Sequence, residues 1–256
     1  MNLTKARLEF QHDGQVATAV LAAPKANILD QVMMADLTAI FEEIASRRNL
    51  KAIVLTADGP DFSYGASVQE HLPEQIAGTL TQLRELLVLV AEAPAPTIAA
   101  VRGQCLGGGF ELVLACDLIL AEETARFGCP EIKLGVFPPA TSALLPVRVG
   151  SGWASNMILT GDSWTGTAAA RTGLVSHLAT AGELETKLKE WLEADFLPRS
   201  AVALRHAARA IRLPILSALK RDLPRLEGIY LDELMVESDA VEGIRAFLEK
   251  RPPVWT

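Results

Sequence analysis

Gly103-Gln104-Cys105-Leu106-Gly107-Gly108-Gly109-Phe110-Glu111 is the stretch from which the rest of the chain can be read. It follows an apolar run, Thr97 to Arg102, that reads as a buried strand, and it leads into a short helix expected over Gly109 to Ala115. Glycines let backbone N–H groups approach a ligand closely. A second turn of this kind, Phe62-Ser63-Tyr64-Gly65-Ala66-Ser67, stands upstream. Two such turns facing each other can aim two N–H donors at one carbonyl oxygen, forming an oxyanion hole. Downstream, Phe127-Gly128-Cys129-Pro130-Glu131 brings a second glutamate, so that Glu111 and Glu131 are candidates for acid and base. Each feature has a plainer use: three glycines suit a tight turn before a helix, Glu111 suits a helix start, and Glu131 suits a surface loop.

Outward from this stretch the chain alternates strands and helices. Arg7 to Gln11 and Val16 to Ala22 read as a hairpin around Asp13-Gly14. Asp30 is a natural N-cap for a helix to about Ser46, with Val32, Leu37, Ile40, Phe41 and Ile44 at near-helical spacing. Lys51 to Ala57 reads as a buried parallel strand, and Ile76 to Glu92 as a helix ended by Pro94 and Pro96. Short strands are expected at Leu118–Ala121, Arg126–Phe127 and Leu174–Leu178, with helices at Ser142–Val147, Gly152–Leu159 and Thr165–Thr172. From about Glu183 the pattern is helical, with breaks at Pro198, Pro214 and Pro224. Strand–helix alternation followed by helices implies an α/β core with a helical tail; the boundary is placed between residues 1–190 and 191–256.

Composition narrows the function. The 256 residues are 50% hydrophobic and 21% charged, ample for a core. A net charge of -7 argues against a dedicated nucleic-acid binder. Cys105, Cys116 and Cys129 give neither a disulfide framework nor a metal-ligand spacing, which suits a reducing cytoplasm. The first residues lack an apolar signal core, and no long apolar run implies a membrane span. No metal or redox cofactor is expected.

Together, Gly107 to Leu112, Phe127 to Gly135 and Leu159-Thr160-Gly161-Asp162 resemble, in order, blocks of the crotonase, or enoyl-CoA hydratase/isomerase, family. The resemblance runs from about Leu8 to the C-terminus. Pro24-Lys25-Ala26-Asn27-Ile28, Phe62 to Pro73, Arg102 to Gly109 and Leu134 to Ala140 are closer still to its members that hydrate cyclohexa-1,5-diene-1-carbonyl-CoA in anaerobic benzoyl-CoA breakdown. The resemblance implies a crotonase (ClpP-like) fold of repeated ββα turns with a C-terminal helical region at the contacts of a homotrimer or dimer of trimers. It also implies a hydro-lyase whose CoA is part of the substrate. The amides of Ala66 and Gly108 would hold the thioester oxygen, and Glu111 and Glu131 would handle water and proton. Lys25, Ala26, Ala66, Val68, Phe247 and Lys250 would contact CoA.

Two departures bear on the substrate. Simple hydratases usually carry Asp where this chain has Ser67, and a Gly-rich stretch where it has Val136 to Ser142. Side chains there would reshape the acyl pocket and favour a ring. A linear enoyl-CoA hydratase or isomerase, and a non-catalytic RNA- or partner-binding protein on the same scaffold, are the competing readings. His71 lies on the loop after Ala66 as a weaker candidate, and His177 reads as structural.

Overall fold

The computed structural model describes residues 3–256; Met1 and Asn2 of the expected core lie outside it. Strands β1 (Ala6–Gln11) and β2 (Val16–Leu21) form the hairpin, and His12, Asp13 and Gly14 all turn with positive φ. Every residue of β2 is buried, so it lies inside the sheet. Helix α1 (Gln31–Ala45) starts where expected because the Asp30 carboxylate accepts the Met33 N–H at 3.0 Å. Its buried face is Met33, Met34, Leu37, Ile40, Phe41 and Ile44, whereas Val32 is exposed.

Strand β3 (Ala52–Ala57), helix α2 (Ile76–Ala91) and strand β4 (Thr97–Val101) follow. Next come β5 (Gln104–Leu106), α3 (Gly107–Leu114), β6 (Leu118–Glu122) and β7 (Arg126–Gly128). Helices α4 (Pro139–Val149) and α5 (Ser151–Thr160), strand β8 (Ser163–Thr165), helix α6 (Gly166–Arg171) and strand β9 (His177–Ala179) complete the core. One sheet runs β1-β2-β3-β4-β6-β9, parallel except for the hairpin; a second runs β5-β7-β8. Because β3 and β4 are parallel neighbours, the turns that follow them emerge side by side. That adjacency brings the two glycine turns together.

The last strand is not at Leu174–Leu178. Gly173, at φ 83°, ends the α6 turn, and Leu174 and Val175 pack into the core before the chain reaches β6 at His177. His177 is exposed at the sheet edge, with its ring 4.1 Å from that of Trp191.

The tail carries α7 (Leu184–Trp191), α8 (Ala201–Ile211), α9 (Leu213–Ser217), α10 (Leu223–Gly228) and α11 (Ser238–Leu248). Pro214 and Pro224 do not break the path: each sits in the first turn of its helix, where a missing N–H costs least. Wider π turns at Ala218–Asp222 and Ile229–Leu234 carry the chain onward. Buried Arg212 fastens this tail to the core. Its guanidinium donates to both Asp117 oxygens at 2.8 and 2.5 Å and to the carbonyls of Ala93 and Ala95. Among the described residues, no helix is long and apolar enough to cross a membrane.

Candidate active site

The turns after β3 and β4 are laced together by backbone bonds. Phe62 N–H donates to Arg102, Ser63 N–H to Gln104, and Leu106 N–H to the Ser63 carbonyl, at 2.9–3.0 Å. Buried Ser63 orders the loop from inside: its hydroxyl donates to the Asn27 carbonyl at 2.7 Å and accepts the Gly65 N–H at 3.0 Å. Asn27, itself at φ 44°, donates through its amide to the carbonyls of Asp58 and Asp61 and accepts the Ala23 N–H. Gly65 is required here: its φ is 97°, and a Cβ would lie 2.9 Å from the Leu106 carbonyl oxygen.

This lacing sets two amides side by side. A Cβ placed on Gly108 would lie only 3.2 Å from the Ala66 nitrogen. Gly108 is the second residue of α3, so its N–H has no intrahelical acceptor, and no side chain caps that helix. The Ala66 N–H donates to no group among the described residues. Two free donors thus line one enclosed cavity of about 20 Å³, which is room for a single water molecule.

Glu111 and Glu131 line the same cavity. Glu111 stands one helical turn beyond Gly108 and is 4% exposed. Its Oε1 accepts the Thr141 N–H at 2.9 Å, in the first turn of α4. Glu131 belongs to the 3-10 turn Pro130–Leu134 at the surface, yet its carboxylate is turned inward. Oε2 is sealed from solvent and has no partner among the described residues. Oε1 comes so near α3 that a Cβ on Gly107 would lie 2.7 Å from it. Burial pushes both carboxyls well above their ordinary range. The facing Glu111 charge raises Glu131 further, while the Thr141 and Ala140 amides offset part of the burial effect at Glu111. Such a pair titrates as a unit, holding a proton at pH values where an ordinary carboxyl has lost it.

Phe137, Pro138 and Pro139 form one wall of the cavity, and His71 forms part of another. His71 Nδ1 lies 2.9 Å from the Ser67 carbonyl, and burial lowers its pKa, so the ring stays neutral. Cys105 and Cys129 are fully buried; the Cys129 sulfur contacts the Thr141 hydroxyl at 3.2 Å.

A family model described as enoyl-CoA hydratase/isomerase matches residues 11–256. The chain belongs to that family. As an enoyl-CoA hydratase/isomerase family member it is a hydro-lyase of the enoyl-CoA hydratase type, with an α/β crotonase fold. It is 43% identical over 246 residues to cyclohexa-1,5-dienecarbonyl-CoA hydratase of Thauera aromatica, covering 96% of this chain and 95% of that one. It is 35% identical over 229 residues to 2,3-dehydroadipyl-CoA hydratase of Escherichia coli K12, covering 89% of each. The crystal structure of an enoyl-CoA hydratase from Mycobacterium avium subsp. paratuberculosis K-10 superposes with a TM-score of 0.87 at 27% identity, over 99% of both chains.

Within this family member, Ala66, Gly108, Glu111 and Glu131 meet at one cavity. The six residues expected at CoA are more scattered. Lys25 is exposed in the turn after β2, and the Ala26 carbonyl accepts the Tyr64 N–H at 3.0 Å. Val68 opens the half-buried 3-10 turn Val68–His71. Phe247 is exposed at the end of α11, and exposed Lys250 follows it at φ 55°. Ala66 alone of these lines the cavity.

Sequence reading missed Tyr230, a cavity residue from the tail. It also missed the roles of Ser63, Asn27 and Thr141. Asn27 stood inside a quoted motif, but its bonds run to residues 31 and 34 positions away. No local pattern marks Tyr230.

Proposed function

We propose that this protein adds water to a cyclic conjugated dienoyl-CoA thioester, cyclohexa-1,5-diene-1-carbonyl-CoA, giving 6-hydroxycyclohex-1-ene-1-carbonyl-CoA. The supporting observation is one enclosed cavity where two free amides meet two buried carboxyls against a wall of Phe137, Pro138 and Pro139. The likeness to the Thauera aromatica enzyme supports the ring-shaped substrate.

Water adds to the ring carbon β to the thioester. The electron pair moves through the former double bond to the thioester oxygen, where the Ala66 and Gly108 amides stabilise the dienolate. The carboxyl pair takes the proton from water and returns one to the far end of the former diene. One O–H bond of water breaks, a C–O and a C–H bond form, and the remaining ring double bond conjugates with the thioester. Compared with hydration of a linear enoyl-CoA, only the protonated carbon changes. A cyclohexadiene ring is larger than a one-water cavity, so its entry requires the lining side chains to move apart.

On this reading Lys25, Ala26, Val68, Phe247 and Lys250 serve CoA, the last two in a neighbouring subunit. Exposed Val202, Ile211 and Leu213 on the tail support subunit contacts through residues 191–256 in a homotrimer or dimer of trimers. Three buried free thiols suit the cytoplasm, and degradation of aromatic compounds is the setting that consumes this activity. The deciding experiment incubates the protein with the cyclic dienoyl-CoA in heavy water. Mass and NMR analysis should place hydroxyl and deuterium at opposite ends of the diene. Faster turnover of crotonyl-CoA than of the cyclic thioester would instead select the linear-chain hydratase. Salt-dependent nucleic-acid binding without hydration would select the RNA-binding alternative.

A further inference from the structure

Tyr230 is the buried polar group that the chemistry above does not use. It is 1% exposed, and its hydroxyl has no hydrogen-bond partner among the described residues. The residue lines the cavity of Glu111 and Glu131, and its ring meets that of Phe137 edge-on at 5.5 Å. Burial and the two facing carboxyls raise its pKa, so the phenol stays protonated and remains a donor. Phenylalanine would fill the same space without the penalty of an unpaired O–H. A hydroxyl kept here points to a polar atom that arrives with the ligand.

The reacting water supplies such an atom. The cavity has room for one water, and Glu131, whose Oε2 has no partner among the described residues, lines the same space. A water attacking carbon donates one hydrogen to its base and needs a donor to fix its orientation. The Ala66 and Gly108 amides are committed to the thioester oxygen. Thr79 is turned toward the Gln75 and Glu70 carbonyls. Neutral His71, with its Nδ1 hydrogen on the Ser67 carbonyl, has only an acceptor left at Nε2. Apart from the proton that the carboxyl pair holds for delivery to carbon, Tyr230 is the remaining donor among the residues lining the cavity.

We propose that the Tyr230 hydroxyl donates a hydrogen bond to the reacting water, and to the product hydroxyl it becomes, while Glu131 accepts the water's proton. Tyr230 keeps its own proton throughout; the water O–H bond breaks toward Glu131 as the new C–O bond forms. The inference rests on water addition at this site and holds for either thioester.

The test is Tyr230→Phe, assayed with both cyclohexa-1,5-diene-1-carbonyl-CoA and crotonyl-CoA. Expected is a kcat lowered roughly 10- to 100-fold on whichever thioester the parent hydrates, with KM little changed. The variant should bind the hydroxylated product about 10-fold more weakly and free CoA equally well. Its thermal midpoint should equal or exceed the parent's, since an unpaired hydroxyl is gone. Unchanged kcat, a lowered midpoint, or equal losses of affinity for product and CoA would each overturn the assignment. A parent that hydrates only crotonyl-CoA refutes the cyclic substrate, and the crotonyl-CoA ratio then decides on Tyr230.

Discussion

Gly108→Ala separates the proposed oxyanion hole from the stability of the fold. Gly108 does not have positive φ, so alanine fits its backbone, and in a helix alanine is favoured over glycine by about 0.5–1 kcal/mol. The added methyl would lie 3.2 Å from the Ala66 nitrogen, 3.3 Å from the Ala66 Cβ and 3.5 Å from Leu29 Cδ2. The first two contacts are tight, so the laced turns must part by a few tenths of an ångström. Oxyanion donors act over about 2.7–3.1 Å, and losing one costs about 10²–10³ in kcat, or about 2.7–4 kcal/mol. The expected outcome is a kcat lowered by about 10²–10³ with unfolding free energy changed by less than about 1 kcal/mol. Loss of enoyl-thioester absorbance reports the first and urea unfolding the second. Gly107→Ala is a useful contrast: its methyl would lie 2.7 Å from Glu131 Oε1, and φ 48° adds backbone strain, so it should lose both activity and stability. A folded Gly108→Ala protein with kcat within about threefold of the parent would show that these amides do not hold the thioester oxygen.

The carboxyl pair, the tail anchor and the thiols yield three further expectations. Glu111→Gln and Glu131→Gln should each lower kcat by about 10²–10⁴. Both carboxyls bind protons more tightly folded than unfolded, so their stabilising contribution is complete below the ordinary value of 4.5 and is lost as pH rises through the raised folded values. The double glutamine variant should show a flatter stability–pH curve over that window by urea titration; an unchanged curve would contradict the assigned shifts. Arg212→Met removes one partner of a buried pair and its bonds to two carbonyls, and should cost about 3–5 kcal/mol in urea unfolding. Burial raises the pKa of Cys105, Cys116 and Cys129, so an aromatic disulfide reagent should label them only after denaturation. Rapid labelling of the native protein would refute that packing.

What was legible in the sequence follows the range of the signals. Asp30 and the apolar stripe of α1 act over one or two helical turns, so that helix is placed within a residue of its start. The glycines at 65 and 107 announce their backbone needs locally. Strands β5, β8 and β9 span three residues each, too short to show alternation, and the last was displaced by the turn at Gly173. Glu131 is named through its motif, since its local pattern alone also suits a loop carboxylate; only the tertiary fold turns the side chain inward. Tyr230 reaches the cavity from 99 residues beyond Glu131 in the chain, as part of a tail whose proline pattern read as breaks rather than continuous turns.

The departure at Val136 to Ser142 bears on more than the proposed acyl pocket. Pro139 occupies the first turn of α4, a position its fixed φ favours, and so α4 begins beside the cavity instead of at Ser142 as its pattern suggested. That early start brings the Thr141 amide, an otherwise unpaired first-turn donor, onto Glu111. The bond favours the ionised form of Glu111 against its burial. The Thr141 amide thus bears directly on one carboxyl of a pair that titrates as a unit. Phe137, from the same segment, packs against Tyr230 and fixes where the third polar group stands. The segment proposed to shape the acyl pocket therefore also bears on the protonation of the carboxyl pair, through the Thr141 amide on Glu111. Pocket shape and protonation state are coupled through the backbone of α4, and the two are expected to change together when that segment is altered.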